Sequence, residues 1–258
     1  MCELNSLFRK RIGISQNKNI TFEKLDYILE QTAINIPFEN LCIMENKISD
    51  INKENLINKI LVNKEGGLCY ELNSIFYFFL IENGFDASLV RGVIYDNINE
   101  TYSTIGRTHV AILVTHKNQT YLIDTGFGGN LPLKPVPITG EPVTSNNGEF
   151  RVNKGDSEFG NYALEMKLKH KDTNWKIGYA FDSKKLINDV SEFNEIQTII
   201  AKHQESPFNK KPLITRLTST GNLTLTDTSF TQWIDGIDTK EEIDHAKFKE
   251  LLKKHFGI

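Results

Sequence analysis

The sequence predicts an α+β fold, and three observations carry that prediction. Apolar residues recur at helical spacing from the start of the chain to about residue 87, strand-like runs take over at Ser88, and from about residue 184 the pattern is mixed. With 258 residues, 39% of them hydrophobic, the chain can bury a sizeable core as one compact body of two or three packed parts.

In the first stretch, Phe22, Leu25, Ile28 and Leu29 fall on one helical face, and Leu56, Ile57, Ile60 and Leu61 on another, with Asp50 or Asn52 as N-cap of the second helix. Between them Pro37 forces an extended entry to the segment Ile36 to Leu41. After Gly66-Gly67-Leu68, Cys69 opens a third helix whose Leu72, Ile75, Phe76, Phe79 and Leu80 share a core-facing stripe, ending at Asn83-Gly84. Its apolar run Ser74 to Ile81 is far shorter than the roughly 20 residues that span a bilayer, so it reads as a buried helix face.

Strands are expected at Ser88 to Tyr95, Thr108 to His116 and Thr120 to Phe127, the last two forming an antiparallel hairpin about Lys117-Asn118-Gln119. Residues 131–145 contain four prolines and read as an irregular strap. Further strands are expected at Tyr162 to Lys169 and Trp175 to Phe181. The tail then gives a helix from Val190 to His203, a strand pair across Ser219-Thr220-Gly221-Asn222 and a closing helix from Lys240 to Phe256.

Composition narrows the function classes. A net charge of −3 supplies no positive field for a polyanion, which argues against a nucleic-acid partner. No secretory pattern opens the sequence and no run is long enough for a membrane span, so the expected compartment is the cytoplasm. Cys2, Cys42 and Cys69 are an odd, scattered set without CxxC or zinc-like spacing, so neither a disulfide framework nor a metal is expected.

Cys69 is the centre of the chemical reading. A thiol at a helix N-terminus meets unpaired N–H groups and the positive end of the dipole, which favours the thiolate. Gly66 and Gly67 allow tight curvature and close substrate approach, and neighbouring N–H groups suit an oxyanion. A lone cysteine is ordinarily a small buried hydrophobe; two further residues shift the balance. His109 begins an apolar strand, where an imidazole is either hydrogen-bonded structure or a base, and Asp124 ends the neighbouring strand. Thiol, imidazole and carboxylate in that arrangement follow the nucleophile, base and orienter logic of a cysteine triad.

At these residues the sequence resembles the arylamine N-acetyltransferase family. The resemblance is carried by Ile36-Pro37-Phe38-Glu39-Asn40-Leu41, Gly66-Gly67-Leu68-Cys69-Tyr70-Glu71-Leu72-Asn73, Thr108-His109-Val110, Asp124-Thr125-Gly126-Phe127-Gly128 and His203-Gln204-Glu205-Ser206-Pro207-Phe208. It implies an N-terminal helical bundle (residues 1–87) with Cys69, a central β-barrel-like domain (88–185) with His109 and Asp124, and a C-terminal α/β lid (186–258), around a cysteine-protease-like Cys-His-Asp core. It implies a ping-pong reaction in which Cys69 takes acetyl from acetyl-CoA and an arylamine, arylhydrazine or N-hydroxyarylamine receives it. Glu39 and Arg11 then match a supporting ion pair, and Thr108, Gly126, Gly128 and Phe208 the contacts to the CoA cosubstrate. The partners implied are CoA and a small aromatic amine or hydrazine; the assembly expected is a monomer or weak homodimer.

One position departs from the family pattern. A basic residue usually precedes the two glycines, whereas here Glu65 stands there with Lys64 one step back. A carboxylate at that point acts on the thiol, on loop packing, or on neither if it faces solvent. Two rival readings share the triad: another thiol acyl-transfer enzyme of peptidase or transglutaminase type, and a non-catalytic module that binds CoA. The Ile-Pro-Phe-Glu-Asn and Ser-Pro-Phe segments favour the acetyltransferase over the first, and the presence of all three triad residues together argues against the second.

Overall fold

The computed structural model describes residues 3–258, so Cys2 lies outside the described residues. The N-terminal part holds helices α1 (Glu3–Arg11), α2 (Leu25–Asn35), α3 (Leu41–Met44), α4 (Lys53–Leu56, prolonged by a π-helical stretch Ile57–Val62) and α5 (Cys69–Glu82), with one short strand, β1 (Phe38–Glu39). Asn52 caps α4, its side-chain oxygen accepting from Asn55 N at 2.9 Å, while Asp50 makes no such cap. α5 stops at Asn83, and Gly84 follows at φ +81, the left-handed exit that glycine makes without strain.

The middle of the chain builds one antiparallel sheet from β2 (Asp86–Asp96), β3 (Thr101–Tyr102), β4 (His109–His116), β5 (Gln119–Ile123), β6 (Val136–Pro137), β7 (Val143–Ser145), β8 (Gly148–Ser157), β9 (Gly160–Leu168) and β10 (Lys176–Ile187). The order is β6-β5-β4-β2-β10-β9-β8-β7, with β3 beside β2, and β6 approaches β8 so that the sheet is nearly a closed barrel. Along β4 the side chains divide cleanly. Ala111 and Leu113 point into the barrel core with Leu122, Phe150 and Phe181, whereas Val110, Ile112 and Val114 pack on the helices with Phe76 and Phe79 of α5. Burial on both faces is why this strand reads as an unbroken apolar run.

The tail forms α6 (Phe193–Lys202), strands β11 (Leu213–Thr218), β12 (Gly221–Thr226), β13 (Ser229–Ile234) and β14 (Ile237–Glu242), and helix α7 (His245–Leu251) with a π-helical end, Leu252–Phe256. The second sheet runs β1-β11-β12-β13-β14, so the extended Pro37 segment is stitched to the C-terminal part, with Phe38 opposite Thr215. Phe38 also bridges to Gly67, which anchors the loop before Cys69. Among the described residues no helix is long and apolar enough to cross a membrane.

Three sequence expectations change. The β4–β5 turn has two residues, Lys117 and Asn118 at φ +50 and +61, not three, because His116 pairs with Gln119. The expected closing helix begins later than Lys240. Residues 237–242 are drawn into an edge strand by the tight turn at Asp235-Gly236, and Asp244 caps the helix from Lys247 N at 2.8 Å. The strap at 131–145 is interrupted by β6 and β7, and β8 adds a strand that the periodicity did not show.

Candidate active site

Cys69 sits in the first turn of α5, and the two glycines before it are fixed by sterics. A Cβ on Gly66 would lie 2.1 Å from Pro37 O and 2.8 Å from Glu39 Cγ; one on Gly67 would lie 2.9 Å from Glu71 Cβ. Close approach at this loop is therefore made by the chain's own Pro37–Glu39 segment and by Glu71, rather than by a substrate as the sequence suggested. Glu39 N donates to Gly67 O at 3.0 Å, Gly67 N to Pro37 O at 3.3 Å, and Leu68 N to Glu71 Oε2 at 2.9 Å. Cys69 thus stands on a clamped loop at the N-terminus of a 14-residue helix.

The β4–β5 register brings His109 and Asp124 together. Ile112 pairs with Ile123, so continuing the ladder sets Asp124 opposite Ala111, two residues from His109 and on the same face. His109 Nε2 lies 2.7 Å from Asp124 Oδ2, both side chains being buried. The Cys69 thiol donates to Thr108 O at 3.5 Å, the residue before His109, and Cys69 and His109 line the same cavity. With Nε2 held by Asp124, Nδ1 is the nitrogen left for the thiol. Burial alone would pull the His109 pKa down; the Asp124 carboxylate outweighs it and, with Cys69, pushes it up to about 10.

Two residues that the sequence reading missed complete the cage around Asp124. Tyr179 on β10 donates its hydroxyl to Asp124 Oδ2 at 2.9 Å, while Asn73 Nδ2 and Gly126 N donate to Oδ1 at 3.0 and 2.8 Å. Asn73 also donates to Val110 O at 2.8 Å and accepts from Thr125 N at 2.9 Å, tying α5 to both strands. Burial, then Asp124, holds the Tyr179 phenol well above its ordinary range, so it remains a donor. The ring of Tyr179 packs on His109 at 4.3 Å. Asn73 carried a readable signal, since it lies four residues after Cys69 on the same helical face; Tyr179, 55 residues beyond Asp124, carried none.

A cavity of about 180 Å³ opens over Cys69 and His109, walled by Phe38, Ile94, Ile105, Phe127, Ile200 and Phe208. Thr108, Gly126 and Phe208 line it, and Phe208 meets Phe38 edge-on at 5.5 Å. Gly128, at φ +59, stands beside Phe38 and Thr215. The Gly126 N–H is engaged by Asp124, so it does not face a pyrophosphate, and a Cβ there would lie 2.6 Å from Cys69 Cα. Gly126 serves the approach of helix to strand.

The sequence profile of the N-acetyltransferase family matches residues 21–258. The chain belongs to the arylamine N-acetyltransferase family. It is 37% identical to the uncharacterized acetyltransferase YvcN of Bacillus subtilis (strain 168), over 98% of this chain and 97% of that protein. Arylamine N-acetyltransferase C from Bacillus anthracis superposes with a TM-score of 0.95 at 41% identity, covering 100% of this chain and 99% of that one. The NAT3 arylamine N-acetyltransferase from Bacillus cereus gives the same TM-score and coverage at 43% identity, and is described as having a unique Cys-His-Glu catalytic triad. In this member of the family the carboxylate bonded to His109 is Asp124.

The expected ion pair between Glu39 and Arg11 is not formed. Arg11 donates to Ile60 O and Lys64 O, at 3.1 and 3.0 Å, and with its guanidinium held by these carbonyls Glu39 is left to another cation. That cation is Lys59, whose Nζ lies 2.6 Å from Glu71, 3.7 Å from Glu39 and 3.2 Å from the Cys42 sulfur. Burial works against the Lys59 ammonium, but Glu71 and Glu39 outweigh it and keep its pKa above the usual lysine value. Burial pushes Glu39 up against the pull of Lys59, and raises the Cys42 thiol to about 12. Cys42 thus packs against the helical core and meets this polar network through its sulfur. Glu65, the departure from the family pattern, lines the acidic cavity on this side with Glu39 and Glu71; it does not line the cavity over Cys69.

Proposed function

We propose that this enzyme transfers an acetyl group from acetyl-CoA to the nitrogen of an arylamine, arylhydrazine or N-hydroxyarylamine through an acetyl-Cys69 thioester. The observation that carries the reading is Cys69 and the Asp124-bonded His109 side by side at the floor of an apolar, ring-sized cavity.

Each step follows from the side chains present. His109 holds the thiol proton while Asp124 fixes the ring, and the Cys69 sulfur attacks the acetyl carbonyl carbon. The first-turn N–H groups and dipole of α5 meet the oxyanion that forms. Collapse breaks the bond to the CoA sulfur, which takes the proton from His109, leaving acetyl-Cys69. The amine nitrogen then attacks the thioester, His109 accepts its proton, and the Cys69 sulfur departs, restoring the starting state. Thr108 and Phe208, which line the cavity, and Gly128, beside its wall residue Phe38, are the residues assigned to the cosubstrate arm; Gly126 supports the site through Asp124. The two half-reactions share one cavity, so acetyl-CoA and amine occupy it in turn. Initial-rate measurements with both substrates varied are expected to give parallel double-reciprocal lines; intersecting lines would contradict the thioester route.

A further inference from the structure

Building on the acceptor reading above, we propose that this cavity selects neutral single-ring aromatic amines and discriminates against amines bearing a carboxylate on the ring, because its wall carries no cation, an absence that an arginine at the lining position Ser103 would fill. Size gives the first half. An apolar cavity of about 150 Å³ holds one benzene ring, and the cavity over Cys69 measures about 180 Å³. One ring with a small substituent fills it.

Charge gives the second half. Among the described residues, the wall contains no lysine, arginine, aspartate or glutamate; its polar side chains are the catalytic pair and the hydroxyl residues Ser103, Thr108 and Tyr70. In the acetyl-enzyme the His109 imidazole has given up its proton and stands 2.7 Å from the Asp124 carboxylate, so the floor offers no cation either. The two arginines of the neighbouring strand and loop are committed elsewhere. Arg91 pairs with Glu195 at 2.8 Å and donates to Arg107 O at 2.9 Å, and Arg107 donates to Glu158 O and Phe159 O at 2.9 and 2.7 Å. Thr104, between the lining residues Ser103 and Ile105, donates to Glu205, which sets a further negative charge beside the cavity. A carboxylate on the acceptor ring would be desolvated here without a partner, whereas a neutral substituent would meet apolar surface.

The test uses the whole enzyme loaded as acetyl-Cys69 by acetyl-CoA, freed of excess donor, and discharged with 4-aminoacetophenone or with 4-aminobenzoate while the protein mass is followed. The two amines have nearly the same shape, and the ketone leaves its amine less nucleophilic than the carboxylate does, so a preference for the ketone has to come from the pocket. The ketone is expected to discharge the enzyme at least about tenfold faster. Ser103→Arg, loaded first to show an intact site, is expected to narrow that ratio by speeding the carboxylate. Equal or faster discharge by 4-aminobenzoate in the wild type, or a ratio that Ser103→Arg leaves unmoved, would overturn the selectivity alone. Loading followed by no discharge with either amine would overturn the arylamine reading and the selectivity with it.

Discussion

Replacing Gly126 with alanine adds one methyl group where the loop after β5 meets the nucleophile helix. Gly126 does not lie in the left-handed region, so alanine adopts its backbone conformation and the effect is steric. The new Cβ would stand 2.6 Å from Cys69 Cα, 2.8 Å from Asn73 Nδ2 and 3.1 Å from Cys69 Cβ, where ordinary contact begins at 3.4 Å. The obstruction at Cys69 Cα is backbone, so loop and helix must part by about 0.8 Å to restore contact distance. A displacement near 1 Å at reacting groups costs about 100-fold in rate, and overpacking of this kind costs about 1–3 kcal/mol of stability. The assay is single-turnover acetylation of Cys69 by acetyl-CoA, beside a urea unfolding curve that shows the variant folded at the assay temperature. Acetylation falling about 100-fold in folded protein is the expected result. A Gly126→Ala enzyme that acetylates at the wild-type rate would refute the claim that this contact sets the nucleophile against His109.

Other perturbations probe separate parts of the site. Tyr179→Phe keeps the ring on His109 but removes one donor to Asp124, and a hydrogen bond to a buried charge contributes about 1.5–3 kcal/mol; a loss in that range is expected in urea unfolding, with a slower acetylation step. Lys59→Met leaves the carboxylates of Glu39 and Glu71 without their shared cation, and breaking a buried pair in this way costs about 3–5 kcal/mol. Lys59→Arg should recover part of both stability and acetylation rate; equal stability of the methionine variant and wild type would count against the network. His109 has a folded pKa raised from 6.5 to about 10, so its protonation stabilises the fold fully below pH 6.5 and that contribution fades as pH rises towards 10. The stability gap between wild type and His109→Gln, measured by unfolding across that window, should therefore narrow with rising pH.

Much of the site could be read from the chain because its key signals are local. Cys69 opens a helix one residue after two glycines, and His109 and Asp124 are 15 residues apart, on and just past two strands joined by a tight turn. Helix limits were legible where side chains or glycine mark them, as at Asn52 and Gly84. What stayed hidden depends on distant pairing. Tyr179 reaches Asp124 only because β10 lies next to β2, with Tyr179 opposite Ile94 and two strands, β4 and β2, between β10 and β5. The partner of Glu39 was misassigned because Lys59 sits on a separate helical stretch, and only the packing of that stretch against α5 decides which cation arrives. The charged run at 237–242 shows no apolar alternation, since an exposed edge strand has no buried face to record.

The most direct test of the account is intact-protein mass spectrometry of the purified chain mixed with acetyl-CoA and no acceptor, beside Cys69→Ala. One added acetyl group on the wild type, absent from the variant and removed on adding an aromatic amine or hydrazine, is the predicted result. Wild-type protein that gains no acetyl group at neutral pH, or a Cys69→Ala protein that gains one equally, would contradict it.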